Sequence, residues 1–537
     1  MRSRFLFTDT PLQSRRHFLA SASAGAIACL AWRPAWSADA GAKVEVLLDE
    51  PVGTIAPEIY GHFTEHLGGL IYDGVWVGEN SKIPNERGIR KALLDGLRRI
   101  GAPEIRWPGG CFADSYDWHD GIGARKNRPT HTGFWEDRPE SNAFGTDEFM
   151  RFCRLSGAAP YLAANLRSLP AQSFSEWVEY CNAPAGTTDL AKRRAANGSA
   201  TPYDVRHWGI GNESWGCGGN FSAEEYAQEF RRFTSYVPLY GRKLDLIGAG
   251  PGGDDSDWTE RFFEAMKRKT SYSPPMTGWS VHHYVDDLGQ GAKGDALAFG
   301  ADEWSETLRR ALLTETIIEH QWDILGRYDP NRSIRLVVDE YGGWWRPGSE
   351  LDPSHLLGQQ STLRDALLTA MTLDIFNRHA DKVAMANCAQ LINCLNALFF
   401  AHEDKFAVTP VFHVFDLYRA HQGGQSLGLR CEAPEAAPGL TGLAGSASRR
   451  DGKITLTLTN PSSTASIETQ IAVKSAGTAR ISAVLGRVLG GGDIHAHNDF
   501  TQVDVVHPAD LAVDLRQGML TVRIPAAAVA RLEIDLV

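Results

Sequence analysis

Eight short apolar runs, each followed by a longer stretch with helical spacing, occupy the chain from about residue 57 to about residue 405. No other feature narrows the fold as far. The runs lie at 59–64, 104–107, 161–164, 205–211, 244–249, 278–281, 335–338 and 382–386. Between them, segments such as 88–100, 223–233, 257–267, 303–325 and 363–377 repeat apolar residues at the period of an amphipathic helix. Parallel strands need crossovers of a dozen or more residues, usually helical. Eight strand-then-helix units therefore predict an α/β fold, a (β/α)8 TIM barrel with enlarged loops.

Past residue 410 the period changes to two, with runs at 454–458, 466–473, 479–485 and 520–524 broken by Gly, Pro, Ser and Asn. This predicts a C-terminal all-β sandwich of jelly-roll type, to which 44–48 adds a strand. The expected organisation is a signal at 1–40, an N-terminal strand segment at 41–56 joining the sandwich, a catalytic barrel at 57–408 and the sandwich at 409–537.

The signal is read from Ser14-Arg15-Arg16-His17-Phe18-Leu19-Ala20, an apolar run at 20–32 and the small-residue stretch Ala38-Asp39-Ala40. That order is a twin-arginine pattern and predicts cleavage near Ala40 and export to the periplasm or beyond. The apolar run is well short of the roughly 20 residues a spanning helix needs, so no membrane anchor is expected. Seven cysteines follow it: Cys111, Cys153, Cys181, Cys217, Cys388, Cys394 and Cys431. An odd number leaves at least one thiol unpaired, and no CxxC pairs suggest zinc; disulfide pairing stays open. With 54 basic against 65 acidic residues the net charge is −11, which excludes a nucleic-acid groove and favours a small or neutral partner.

A barrel of this kind carries its site at the C-terminal ends of its strands. The first strand runs into Glu65, the second into Trp107-Pro108-Gly109-Gly110-Cys111 and the third ends at Asn165. The fourth ends in Gly211-Asn212-Glu213, the sixth in His282-His283-Tyr284, the seventh in Asp339-Glu340 and the eighth in Gln390. Glu213 and Glu340 face each other across the barrel mouth in this reading. Two carboxyl groups about 5 to 5.5 Å apart are the arrangement of a retaining glycosidase. One attacks the anomeric carbon; the other protonates the leaving oxygen and then deprotonates water.

Other chemistries fit less well. His62 and His66 are four apart, but on a strand their side chains need not converge on a metal. Adjacent His282 and His283 point to opposite faces of a strand, one to the pocket and one to packing. The glycine runs at 250–253 and 490–492 lack the Walker lysine and the strand-to-helix setting of a phosphate cradle.

Several stretches resemble glycoside hydrolase family 51, the α-L-arabinofuranosidases. They are Phe63-Thr64-Glu65-His66-Leu67-Gly68, Arg106-Trp107-Pro108-Gly109-Gly110-Cys111-Phe112, the segment 140–149, Trp208-Gly209-Ile210-Gly211-Asn212-Glu213, Ser280-Val281-His282-His283-Tyr284 and Val338-Asp339-Glu340-Tyr341. The resemblance covers most of the chain. It implies Glu213 as acid/base, Glu340 as nucleophile and Asn212 as the partner of the hydroxyl beside the anomeric centre. It also implies that Glu65, His282, Tyr284 and Gln390 hold the furanose or orient the nucleophile, with Trp344 as a stacking wall. The partners it implies are arabinofuranosyl-containing glycans, with no metal or organic cofactor and assembly as a homo-oligomer.

Two departures stand out. Cys111 occupies a position where some members carry Asn, and a thiol is a poor hydrogen-bond donor, which leaves Cys111 to shape the pocket. Tyr341-Gly342-Gly343 follows the nucleophile where many members have Trp. The expected function is release of terminal non-reducing α-L-arabinofuranosyl groups. The alternatives are a retaining endo-β-glycanase or β-xylosidase on the same scaffold, or a non-catalytic carbohydrate-binding barrel.

Overall fold

The computed structural model describes residues 41–537 apart from 136–137, 268–271, 287–292 and 478–479. The expected signal at 1–40 lies outside the described residues. Eight parallel strands close into a barrel in chain order: Gly61–Phe63, Glu104–Trp107, Ala159–Ala164, His207–Ile210, Asp245–Gly248, Met276–Val285, Arg335–Gly343 and Val383–Cys388. The eighth meets the first through Asn387 and Gly61. Every apolar run expected to be a strand contributes one.

The ends differ, for local reasons. Pro57 starts a 3-10 turn over Pro57–Tyr60, so the first strand begins only at Gly61. The sixth and seventh strands run past their apolar cores to Val285 and Gly343, which carries Tyr284 and Glu340 to the rim within regular pairing. That pairing passes from Val281–Val338 directly to His282–Glu340, so Asp339 is an extra residue in the seventh strand. Such a bulge re-aims side chains next to an active site. Here Asp339 accepts a hydrogen bond from the Tyr161 hydroxyl at 3.1 Å and Glu340 still reaches the mouth.

Helix Leu363–Arg378 follows the seventh strand and is buried along nearly its whole length. An all-round buried helix needs partners for its polar residues. Asp374 accepts from Ser446 Oγ and Thr457 Oγ1, each at 2.7 Å, and from Tyr418 Oη at 3.0 Å. Burial pushes its carboxyl up to about 6, against the pull of these hydroxyls. This buried network ties the barrel to the C-terminal sheet. Helix Pro410–Tyr418, beyond residue 408, packs against Leu363–Arg378 and Lys91–Ile100, on the barrel.

The C-terminal domain is one hydrogen-bonded sheet of ten strands. Strand Ala42–Thr54 sits inside it, antiparallel to Gln425–Glu432 and parallel to Ile467–Lys474. The sheet curls over its own core: a Cβ at Gly486, near one edge, would stand 2.9 Å from Val513 Cγ2 on the opposite edge strand. Ile454, Leu456, Leu458, Leu520, Val522 and Leu532 fill the space enclosed. Among the described residues, no helix is long and apolar enough to cross a membrane.

Candidate active site

The mouth of the barrel brings together Glu213, Glu340, His282 and most of the other strand-end residues expected there; Asn165 turns aside, its Nδ2 donating to the Tyr116 carbonyl at 3.0 Å and to Ser168 Oγ at 2.8 Å. A carboxylate oxygen of Glu213, one of Glu340 and a ring nitrogen of His282 all lie within 4.8 Å of one another. His282 Nδ1 is 3.0 Å from Glu213 Oε1 and 3.7 Å from Glu340 Oε2. Glu65, Asn212, Tyr284, Trp344 and Gln390 line the same pocket. His283 turns the other way, its Nε2 meeting the carbonyl of Arg310 at 3.1 Å, as strand alternation requires.

Glu340 is held on both oxygens. Arg106 Nη1 donates to its Oε1 and the Tyr284 hydroxyl to its Oε2, each at 2.8 Å. Burial alone would raise its pKa, yet His282, Arg106 and these hydrogen bonds bring it below the usual glutamate range. Burial and the adjacent Glu340 charge hold the Tyr284 phenol well above its ordinary value, so it stays a donor. A Cβ at Gly110 would stand 2.9 Å from Glu340 Oε1, so the Pro-Gly-Gly turn needs glycine there to pass this close.

Glu213 sits on a left-handed backbone, φ 38°, in the loop leaving the fourth strand. Such a conformation is costly for a residue with a side chain and persists where the surroundings impose it. The Asn212 amide donates to Asp114 Oδ2 at 3.1 Å, and Asp114 Oδ1 also takes the amides of Leu166 and Arg167. Downstream, Ser222 and Glu225 form a capping box that starts helix Ala223–Thr234. Between these anchors Cys217 is bonded to Cys111, and the two sulfurs lie 3.5 and 3.8 Å from Glu213 Oε2. Cys111 therefore offers no thiol; it straps the second-strand turn to the loop of Glu213. Cys153, Cys181, Cys388, Cys394 and Cys431 are free.

Glu65 is buried and accepts from Trp135 Nε1 at 3.0 Å, Phe112 N at 2.9 Å and Gln390 Nε2 at 3.1 Å. Burial, then the charge of Glu340, push it up to about 7 against those three donors. Trp344 meets Tyr284 edge-on, with Lys293 Nζ 3.3 Å from its ring centre. His62 and His66 do not converge: His62 packs on Phe415, while His66 Nδ1 pairs with Glu140 at 2.9 Å.

Arg106, Asp114, Trp135 and Cys217 have no role legible from the sequence pattern. Arg106 carried the clearest signal, since an arginine between Ile105 and Trp107 in a barrel strand has to find a buried acceptor. Its Nη2 meets Asn212 Oδ1 at 2.6 Å.

Residues 97–285 match the alpha-L-arabinofuranosidase 1 domain family and residues 339–528 the alpha-L-arabinofuranosidase C-terminal domain family. An intracellular exo-alpha-L-arabinofuranosidase from Bacteroides ovatus is 35% identical over 93% of this chain and 96% of its own length. The chain belongs to glycoside hydrolase family 51, the α-L-arabinofuranosidases. It is a glycoside hydrolase with the arabinofuranosidase activity of that family. The crystal structure of the family 51 arabinofuranosidase from Xanthomonas axonopodis pv. citri superposes with a TM-score of 0.87 at 36% identity, covering 92% of this chain and all of the other. An α-L-arabinofuranosidase from Thermotoga maritima, solved as an arabinose complex, superposes at 0.80 with 27% identity, over 92% of this chain and all of the other.

The expectation of export is corrected by the same comparison. The Bacteroides ovatus relative, matched over almost its whole length, is named an intracellular enzyme. An Arg-Arg pair ahead of a short apolar run is too small a pattern to establish a signal peptide or secretion against that finding.

Proposed function

We propose that this family 51 hydrolase is exo-acting and retaining, releasing terminal non-reducing α-L-arabinofuranosyl groups from arabinose-containing glycans by double displacement. The proximity of Glu213 and Glu340, with Glu340 alone gripped by a guanidinium, carries the reading. A carboxylate kept ionised by Arg106 suits the nucleophile. It attacks the anomeric carbon while Glu213 gives its proton to the departing glycosidic oxygen, so the C–O bond to the aglycone breaks as the bond to Glu340 forms. Glu213, now a carboxylate, takes a proton from water; the hydroxide carbon bond replaces the ester and Glu340 leaves as a carboxylate.

His282, between both acids, steers their oxygens. Asn212 is turned by Arg106 toward the hydroxyl next to the anomeric carbon, a contact that strengthens as charge develops. Glu65 and Gln390 hold the remaining ring hydroxyls, and Trp344 forms a wall for the sugar. The pocket is bounded by Trp135, Trp344, Leu357 and Leu395, which favours a terminal sugar over the middle of a glycan chain. Assembly as a homo-oligomer belongs to this reading and is checked by light scattering.

The test is the product's configuration. Proton NMR within the first minutes of hydrolysis of p-nitrophenyl α-L-arabinofuranoside is expected to show the α anomer appearing first. Initial β anomer, or cleavage of soluble β-glucan with no arabinofuranoside turnover, overturns the proposal.

A further inference from the structure

A second cluster of ligand-type side chains lies outside the catalytic machinery, where three loops of the barrel mouth meet. Asp73 comes from the loop after the first strand, His355 from the loop after the seventh, and His402 from the end of hairpin strand Phe399–His402. Asp73 Oδ2 is 3.1 Å from His402 Nδ1 and 3.6 Å from His355 Nε2, and the three atoms all lie within 4.8 Å of one another. A tetrahedral ion with bonds of about 2.0–2.1 Å holds its donors roughly 3.3–3.5 Å apart, which is the scale of these separations.

The surroundings fit a ligand set. His402 Nε2 stands 3.2 Å from Asp352 Oδ2, so both nitrogens of this ring face carboxylates. A neutral imidazole has one N–H to give. Donated to Asp352, it leaves the Nδ1 lone pair aimed at the lone pairs of Asp73 Oδ2, an arrangement a cation between them makes favourable. A carboxylate on the far nitrogen is also the usual support of a metal-bound histidine, fixing its tautomer and ring plane.

The other two groups are equally constrained. Asp73 Oδ1 is taken by Arg90 Nη2 at 3.1 Å and the Glu403 amide at 2.9 Å, which leaves Oδ2 for a single bond. His355 is buried, and its ring lies so close to the chain at Gly69 that a Cβ there would fall 2.2 Å from Nε2.

We infer that Asp73, His355 and His402 bind one divalent transition-metal ion, zinc by the character of the donors. Two imidazoles and one carboxylate suit zinc and its first-row neighbours, whereas calcium and magnesium call for more oxygen ligands. Asp73 and His355 line a cavity of about 280 Å³ together with Trp135 and Glu140, which gives room for a fourth ligand. Trp135 and Leu67 border both this cavity and the catalytic pocket. A metal here joins three loops of the mouth and stiffens the wall beside the sugar; it takes no part in bond breaking.

The test uses the full chain without a histidine tag, stripped by chelator, loaded with zinc chloride, desalted and analysed for metal by mass spectrometry. About one equivalent of zinc is expected to remain, with a raised Tm relative to the stripped protein. His402→Gln and His355→Gln are expected to lose it, and Asp352→Asn to bind roughly 10- to 100-fold more weakly. Glu340→Gln is expected to keep it, which separates this site from the Glu213–His282–Glu340 group. Hydrolysis of an aryl arabinofuranoside by the histidine variants reports that they are folded. No zinc retained by the wild-type chain, or retention by His402→Gln and His355→Gln equal to that of the wild type, overturns the inference.

Discussion

Arg106 reaches Glu340 through a 2.8 Å hydrogen bond with both side chains buried, and its other terminal nitrogen meets Asn212 at 2.6 Å. One guanidinium thus sets the charge of one residue and the orientation of another. Lysine has a single ammonium without the fork, and cannot keep both contacts. In the proposed mechanism Glu340 works as a carboxylate, so activity is expected to fall as the pH drops through its pKa, which lies below the ordinary 4.5. Arg106→Lys is expected to move the acid limb of kcat/KM to higher pH and to lower kcat roughly tenfold or more at neutral pH through misplacement alone. A pH–rate profile of both proteins checks it.

The two carboxylates are expected to fail differently. Glu340→Ala removes the proposed nucleophile, and loss of roughly 10⁴-fold or more is expected with every substrate. Glu213→Ala removes the proposed proton donor, whose contribution of roughly 10²- to 10⁴-fold matters most where the leaving group is poor. Rates on arabino-oligosaccharides against p-nitrophenyl and dinitrophenyl arabinofuranosides separate the roles. Equal, small losses on all three for Glu213→Ala would contradict its part as acid.

Glu213 and Glu340 were legible because short apolar strands ended in them, and the eight-fold alternation alone implied that such ends converge. What the sequence left hidden was lateral. Trp135 and Asp114 lie in the long segment between the second strand and helix Thr146–Ser156, where no period betrays which side chain turns inward. Cys111 and Cys217 are 106 residues apart, and spacing cannot pair cysteines at such range. The ten-strand sheet was read as a sandwich from five of its strands, since the two-residue period shows that a strand has a buried face but not which neighbour it pairs with.

The Cys111–Cys217 bond closes a long loop and holds the turn of the second strand against the loop of Glu213. Loop-closure entropy for a ring of this size is worth up to about 4.7 kcal/mol. Cys111→Ser/Cys217→Ser is expected to lower Tm, and to reduce turnover of poor-leaving-group substrates more than of dinitrophenyl arabinofuranoside, because Glu213 loses its strap. Differential scanning calorimetry with the two rate measurements checks both effects.

Glu65 gives a stability signature. Its pKa near 7 in the folded chain exceeds the ordinary 4.5, so between those values the folded state keeps a proton that the unfolded state has lost. Stability therefore declines as pH rises through this window. Asp114, pushed by burial up to about 7, and Asp374 act in the same direction. Glu65→Gln is expected to make the fall in Tm between pH 5 and pH 8 shallower without abolishing it.

In the proposed mechanism Glu340 bonds to the sugar carbon that Glu213 serves from the opposite side. Inactivation with a 2-deoxy-2-fluoro arabinofuranosyl donor, followed by digestion and peptide mass spectrometry, reads that bond directly. The adduct is expected on the peptide containing Glu340, with inactivation lost in Glu340→Gln. A label on Glu65, on Glu213 or on any other side chain would contradict it.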